Sequence, residues 1–147
     1  MVRPKPPPAA LHGTPDEIEA QFYEAMQSAD LERLMAVWSD DDEVVCVHPG
    51  GEQLVGAAAI RASFEALFAV GPVPVQPGQL HRIQAPACEV HHLVERVQAG
   101  AGREAFALAT NVFVDTGLGW RMVAHHASPA SAHMLSESAA GGPATLH

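Results

Sequence analysis

A chain of 147 residues with 48% hydrophobic content has room for one domain around one sizeable core, and none for a second. Acidic residues outnumber basic ones by 17 to 8, a formal charge of -9 with histidine neutral, so nucleic-acid binding has no electrostatic footing. No long single-sign charge run and no stretch near the roughly 20 apolar residues of a membrane span is present, which excludes an acidic interaction tail and a spanning helix.

Residues 1–13 carry Arg3 and Lys5 and then Pro6, Pro7 and Pro8, where an export signal would need a continuous apolar run. They read as a flexible arm on a cytoplasmic protein. Thr14-Pro15-Asp16-Glu17 joins an N-cap hydroxyl, a proline at the first helical position and a capping-box glutamate, and so predicts a helix start. Ile18, Phe22, Ala25, Met26 and Ala29 mark its apolar face. Asp30 then caps a second helix whose Leu31, Leu34, Met35 and Trp38 follow the helical repeat. Asp40, Asp41 and Asp42 read first as a solvated turn.

Val44 to His48 predicts a short apolar strand that Pro49-Gly50-Gly51 must end, and Gln53 to Val55 offers a hairpin partner. Gly56 opens a third helix with Ile60, Phe64, Leu67 and Phe68 on one face. Strands follow at about Leu80 to Gln84, Cys88 to Gln98, Arg103 to Val114 and Trp120 to Ser128, joined by glycine turns as an antiparallel meander. In the third of these both alternating residue sets are largely apolar, so both faces should be covered, one lining a cavity and the other meeting a partner subunit. Residues 130–147, rich in Ala, Ser and Gly, read as a flexible tail. Cys46 and Cys88 sit among apolar neighbours and read as buried thiols.

Helix, helix, short hairpin, helix and long meander is an order that resembles the nuclear transport factor 2-like superfamily. Within it the chain is similar to SnoaL-like proteins, through Trp38-Ser39-Asp40-Asp41, Val45-Cys46-Val47-His48-Pro49-Gly50-Gly51, Leu54-Val55-Gly56, Gly119-Trp120 and His125-His126-Ala127-Ser128-Pro129. The resemblance covers residues 14–129. It implies an α+β, cystatin-like fold: a cone-shaped curved antiparallel sheet wrapped around helices, with an internal pocket and homodimerisation through the sheet.

Ketosteroid isomerases of this superfamily place their general base in an Asp-Pro pair, and the matching pair here is His48-Pro49. They also need a tyrosine and a protonated aspartate as oxyanion donors. This chain has one tyrosine, Tyr23, on the first helix, and so departs from the steroid isomerase pattern. The association domain of calmodulin-dependent protein kinase carries a pocket arginine in Thr-Arg-Val-Trp; Thr110-Asn111-Val112-Phe113 stands here, with an amide that cannot clamp a carboxylate as a guanidinium would. His126-Ala127-Ser128 resembles the end of that domain's last strand.

These readings name His48 as candidate base and His126 as acid or oxyanion donor, with Trp38, Cys46, Phe64, Asn111 and Phe113 lining a pocket for a small organic molecule. The expected function is a SnoaL-like small-molecule-pocket protein, either a cofactor-independent isomerase, dehydratase or cyclase, or a non-catalytic ligand-binding or association module. No metal is expected, because no helical His-x-x-x-His or Cys-x-x-Cys spacing occurs, and no cofactor motif is present. His125 and His126 must face opposite sides of a strand, as must His91 and His92. Glu89, Glu95 and Glu104 read as exposed or interfacial charges.

Overall fold

The computed structural model describes residues 13–135. Thr14 starts α1 (Pro15–Ser28) as the sequence requires: its Oγ1 accepts from the Glu17 amide at 3.2 Å, while Glu17 Oε1 accepts from the Thr14 amide at 3.0 Å. Asp30 caps α2 (Leu31–Met35) through the Arg33 amide, 3.1 Å away. The helix expected to reach Trp38 stops at Met35, and Trp38 instead forms an isolated parallel bridge to Met122. Asp41 Oδ1 accepts from the Glu43 amide at 2.8 Å, so that carboxylate serves the turn.

The short hairpin is β1 (Val45–Val47) with β2 (Gln53–Val55), followed by α3 (Ala57–Val70). Between the two strands His48-Pro49-Gly50-Gly51 closes a tight turn, with Gly51 N donating to His48 O at 2.8 Å. Proline pre-sets φ at the second position, and Gly50 at the third has φ +74°, which only glycine adopts without strain. That turn fixes where β1 ends, and therefore where His48 sits.

β3 (Val75–Ala85), β4 (Cys88–Gln98), β5 (Glu104–Thr116) and β6 (Gly119–Ala130) complete one six-stranded curved sheet in the order β2-β1-β6-β5-β4-β3. β3 begins earlier than its sequence pattern suggested, and Pro77 is tolerated because β3 is an edge strand. The meander is antiparallel, but β1 runs parallel to β6, pairing Cys46 with His125 and Val47 with His126. The inner row of β5, Ala107, Ala109, Asn111 and Phe113, is buried against the helices; Phe106, Thr110, Val112 and Val114 are half-buried on the outer face and Leu108 is exposed. Phe22 of α1 is the hub of the core, with its ring 5.1 Å from Tyr23, 6.0 Å from Phe64, 6.3 Å from Trp38 and 5.0 Å from His125. No helix among the described residues is long and apolar enough to cross a membrane. Most of the expected arm and tail lies outside the described residues; β6 runs on to Ala130, and residues 132–135 are helical.

Candidate functional site

Five inner-wall side chains and two from α1 form a buried polar row. Glu19 is a carboxylate that can only accept, so the Asn111 amide nitrogen must face it, at 2.8 Å. The second amide proton goes to the Tyr23 hydroxyl at 3.1 Å, and that hydroxyl donates to Glu95 Oε2 at 2.7 Å. Asn111 Oδ1 is then left to accept from His125 Nδ1, 2.6 Å away, which fixes the proton of the neutral ring on Nδ1. His125 Nε2 lies 3.8 Å from Glu95 Oε2. Further out, His91 Nε2 donates to Glu89 Oε2 at 2.6 Å, and Gln84 donates to the same carboxylate. The His91 Nδ1 atom is 3.0 Å from Glu19 Oε2, but out of line for a hydrogen bond.

This row corrects three expectations. Glu89 and Glu95 are buried, because His91 and Tyr23 give them partners that sequence neighbours could not. Burial, partly opposed by the Tyr23 hydrogen bond, raises the Glu95 carboxyl above its usual value. The inward histidine of β6 is His125, fully desolvated and pushed down to about 3 by burial and then by the neighbouring His48 and His126 charges. His126 is exposed on the outer face beside Thr110 and Val47, so it does not meet His48.

The cause is a β-bulge. From the β5–β6 turn the register runs to Phe113–Met122, then jumps to Val112–Ala124, leaving Val123 extra. Continued without that jump, the register would set His126 opposite the inward Ala109. With it, His125 faces Asn111.

His48 is half-buried at the end of β1, on the inner side with Cys46, its ring edge-on to Phe64 at 4.8 Å. Ser63 Oγ spends its proton on Ile60 O at 2.7 Å, so it must accept from His48 Nε2 at 3.0 Å, leaving Nδ1 as the acceptor nitrogen. Burial lowers the His48 pKa, which keeps the ring neutral at pH 7. Cys46 Sγ is 3.9 Å from the same Nε2, but burial and then the charge of Glu95 push its thiol up to about 12. That thiol is no nucleophile at neutral pH. Trp38, Phe64 and Phe113 all belong to the packed core around Phe22.

Open space lies elsewhere. A cleft of about 630 Å³ opens between α2, the start of α3 and the β5–β6 turn, lined by Met35, Trp38, Ala57, Arg61, Leu118 and Arg121 among others. Another, of about 490 Å³, is bordered by Gln76, Val94, Arg96, Phe106 and Leu135. His48, Asn111 and His126 line neither. For a cation, Asp16, Glu89 and His91 offer ligand atoms within 4.8 Å of one another. Arg82 holds Asp16 by two hydrogen bonds, at 2.9 and 2.5 Å, and keeps its carboxyl below the usual value, so a metal would have to displace both that guanidinium and the His91–Glu89 bond.

A family model described as a SnoaL-like domain matches residues 16–132. Among solved structures, a protein from Thiobacillus denitrificans ATCC 25259, provisionally named a calcium/calmodulin-dependent protein kinase type II association domain, is 36% identical, covering 82% of this chain and 98% of that one, with a TM-score of 0.75. A provisionally named dehydratase of the NTF2-like family from Streptomyces avermitilis is 30% identical over 81% of this chain and all of that one, with a TM-score of 0.70. A Caulobacter vibrioides protein with a cystatin-like fold, 14% identical over 85% of this chain and 93% of that one, has a TM-score of 0.70 and shares the fold. Among curated proteins, none matches the chain significantly.

Proposed function

The chain belongs to the SnoaL-like domain family, and from that membership we propose that it binds a small organic molecule in the cleft between α2, α3 and the β5–β6 turn. The family spans small-molecule binding and isomerase or dehydratase chemistry, and binding is the class this geometry supports. The observation that carries the reading is a contrast. The Glu95–Tyr23–Asn111–His125 row is bonded within itself behind packed aromatic rings, whereas the cleft offers about 630 Å³ walled by Met35, Ala57, Leu118 and the Trp38 ring.

An acid–base pair acting on one substrate would need two groups within reach of the same molecule. His48 and His126 face opposite sides of the sheet, which weighs against proton transfer by that pair. Native mass spectrometry of the purified protein tests the binding reading. A retained small molecule, lost when Ala58→Phe fills the cleft, is the expected result. Equal retention by the variant would move the ligand elsewhere.

The chain also pairs with a second copy through the outer sheet face, in our reading. Val90, Val94, Val112 and Val114 are half-buried there, and Ile83 and Leu108 are exposed at 53% and 44%. Apolar side chains on either side of a polar band of His92, Thr110 and His126, on an acidic protein, match the mixed make-up of a homodimer interface. Leu108→Glu should convert a dimeric mass to a monomeric one in light scattering, and an unchanged mass would rule the face out.

A further inference from the structure

A cation of the cleft lacks, among the described residues, the partner its chemistry calls for. Arg121 is only 5% exposed, yet among the described residues its only hydrogen bond is to the Trp120 carbonyl, 2.7 Å from Nη1, and it makes no ion pair there. A guanidinium offers five donors and stays charged, and a buried one normally faces a carboxylate.

The surrounding charges define what would fit. Arg61, the other cation of the cleft, is committed to Glu32 by two hydrogen bonds from its guanidinium. Asp40 adds a carboxylate to the lining. Among the described residues, one uncommitted positive charge beside two acidic side chains suits a monoanion and disfavours a dianion such as a phosphate monoester. Around it, Met35, Ala36, Ala57, Ala58 and Leu118 supply apolar wall. We infer that the cleft takes a monocarboxylate with an apolar body, its carboxylate on the Arg121 guanidinium, its body against Met35, Ala57 and Leu118. The inference rests on the reading of this cleft as the ligand pocket.

The test is a matched set of alkyl and aryl carboxylates with four to ten carbons, each beside its primary amide, titrated against the full chain. A Trp120→Phe background leaves Trp38 as the sole indole, so its fluorescence reports the cleft. The best acids should bind at least about tenfold more tightly than their amides, with a change in Trp38 emission, as expected for a charge-assisted contact. In Arg121→Met, folded by circular dichroism, acid and amide should bind alike. An acid preference that survives Arg121→Met overturns the inference, as does an amide that binds the parent protein as well as its acid; the latter leaves the pocket reading intact. Failure of every acid and amide to bind removes both. Should Arg121→Met fail to fold, Leu118→Glu, at a position 70% exposed, brings a negative charge to the cleft. It should weaken the acids at least about tenfold more than it weakens the amides, which lose only the apolar contact of Leu118, and an equal effect on both counts against the inference.

Discussion

Asn111→Leu is expected to destabilise the protein by about 3–5 kcal/mol, lowering its melting temperature by about 10 °C or more. The side chain is fully buried and makes three hydrogen bonds, to Glu19, Tyr23 and His125. Leucine has similar bulk, so the loss comes from groups left without partners. A buried neutral donor or acceptor stranded this way costs about 1–3 kcal/mol, and a carboxylate such as Glu19 costs more. Thr110→Ala is the control: one residue away on the outer face, where the hydroxyl meets exposed His92, it should cost less than about 1 kcal/mol. Urea unfolding of the two variants beside the parent protein checks both values, and similar losses in the two would mean that the row contributes no more than the surface does.

His125 should make the protein acid-labile well above the carboxylate range. Its folded pKa is about 3 because the ring is buried; the unfolded value is about 6.5. The folded pKa is the lower one, so the unfolded state takes up the proton first. The stability this group supplies is complete above about pH 6.5 and drains as pH falls towards about 3, at up to about 1.4 kcal/mol per unit. Glu95 works in the opposite sense. Its folded pKa is raised, so its contribution is complete at low pH and is lost as pH rises through the folded value. The His125 ring meets Glu95 at 3.8 Å, Asn111 and the Phe22 ring, and it also feels the charges of His48 and His126. In His125→Asn the Glu95 contribution persists and the histidine one disappears. Unfolding free energies measured between about pH 7 and 4.5 should fall more steeply for the parent than for the variant, by about 2 kcal/mol over the range. Parallel profiles would mean that His125 is protonated in the fold.

The fold was legible because its signals are local. The capping box at Thr14–Glu17, the turn at His48–Gly51 and the alternation of β5 are each set by neighbours within a few residues. The inner wall was only partly legible. Alternation says that Asn111 shares a face with Ala109 and Phe113, and that His125 and His126 part company, but it does not say which histidine turns inward. That choice belongs to Val123, an extra residue with no glycine beside it to announce a bulge. Glu95 was hidden for another reason: its partner Tyr23 lies 72 residues away, and a strand glutamate among apolar residues reads as surface until that partner is known. The clearest missed signal was on α1 itself, where Glu19 and Tyr23 are spaced four apart and face the same way into the apolar side. Two polar residues on a core-facing stripe call for inward partners. The cleft was not legible at all, since α2, α3 and the β5–β6 turn come from three separate parts of the chain.

The parallel seam between β1 and β6 has a consequence for how the molecule is made. β1 is translated near residue 45, but the strand it lies against ends at Ala130. Until the ribosome has delivered that last strand, the N-terminal hairpin has no sheet to join, and the β3–β5 meander has an open edge where β6 belongs. Closing the seam is a long-range event with a large loop to fix, so it comes late in folding. A chain cut short after β5 would thus lose more than one strand: its N-terminal hairpin would have no strand to pair with, and its unpaired edge would be open to neighbouring chains.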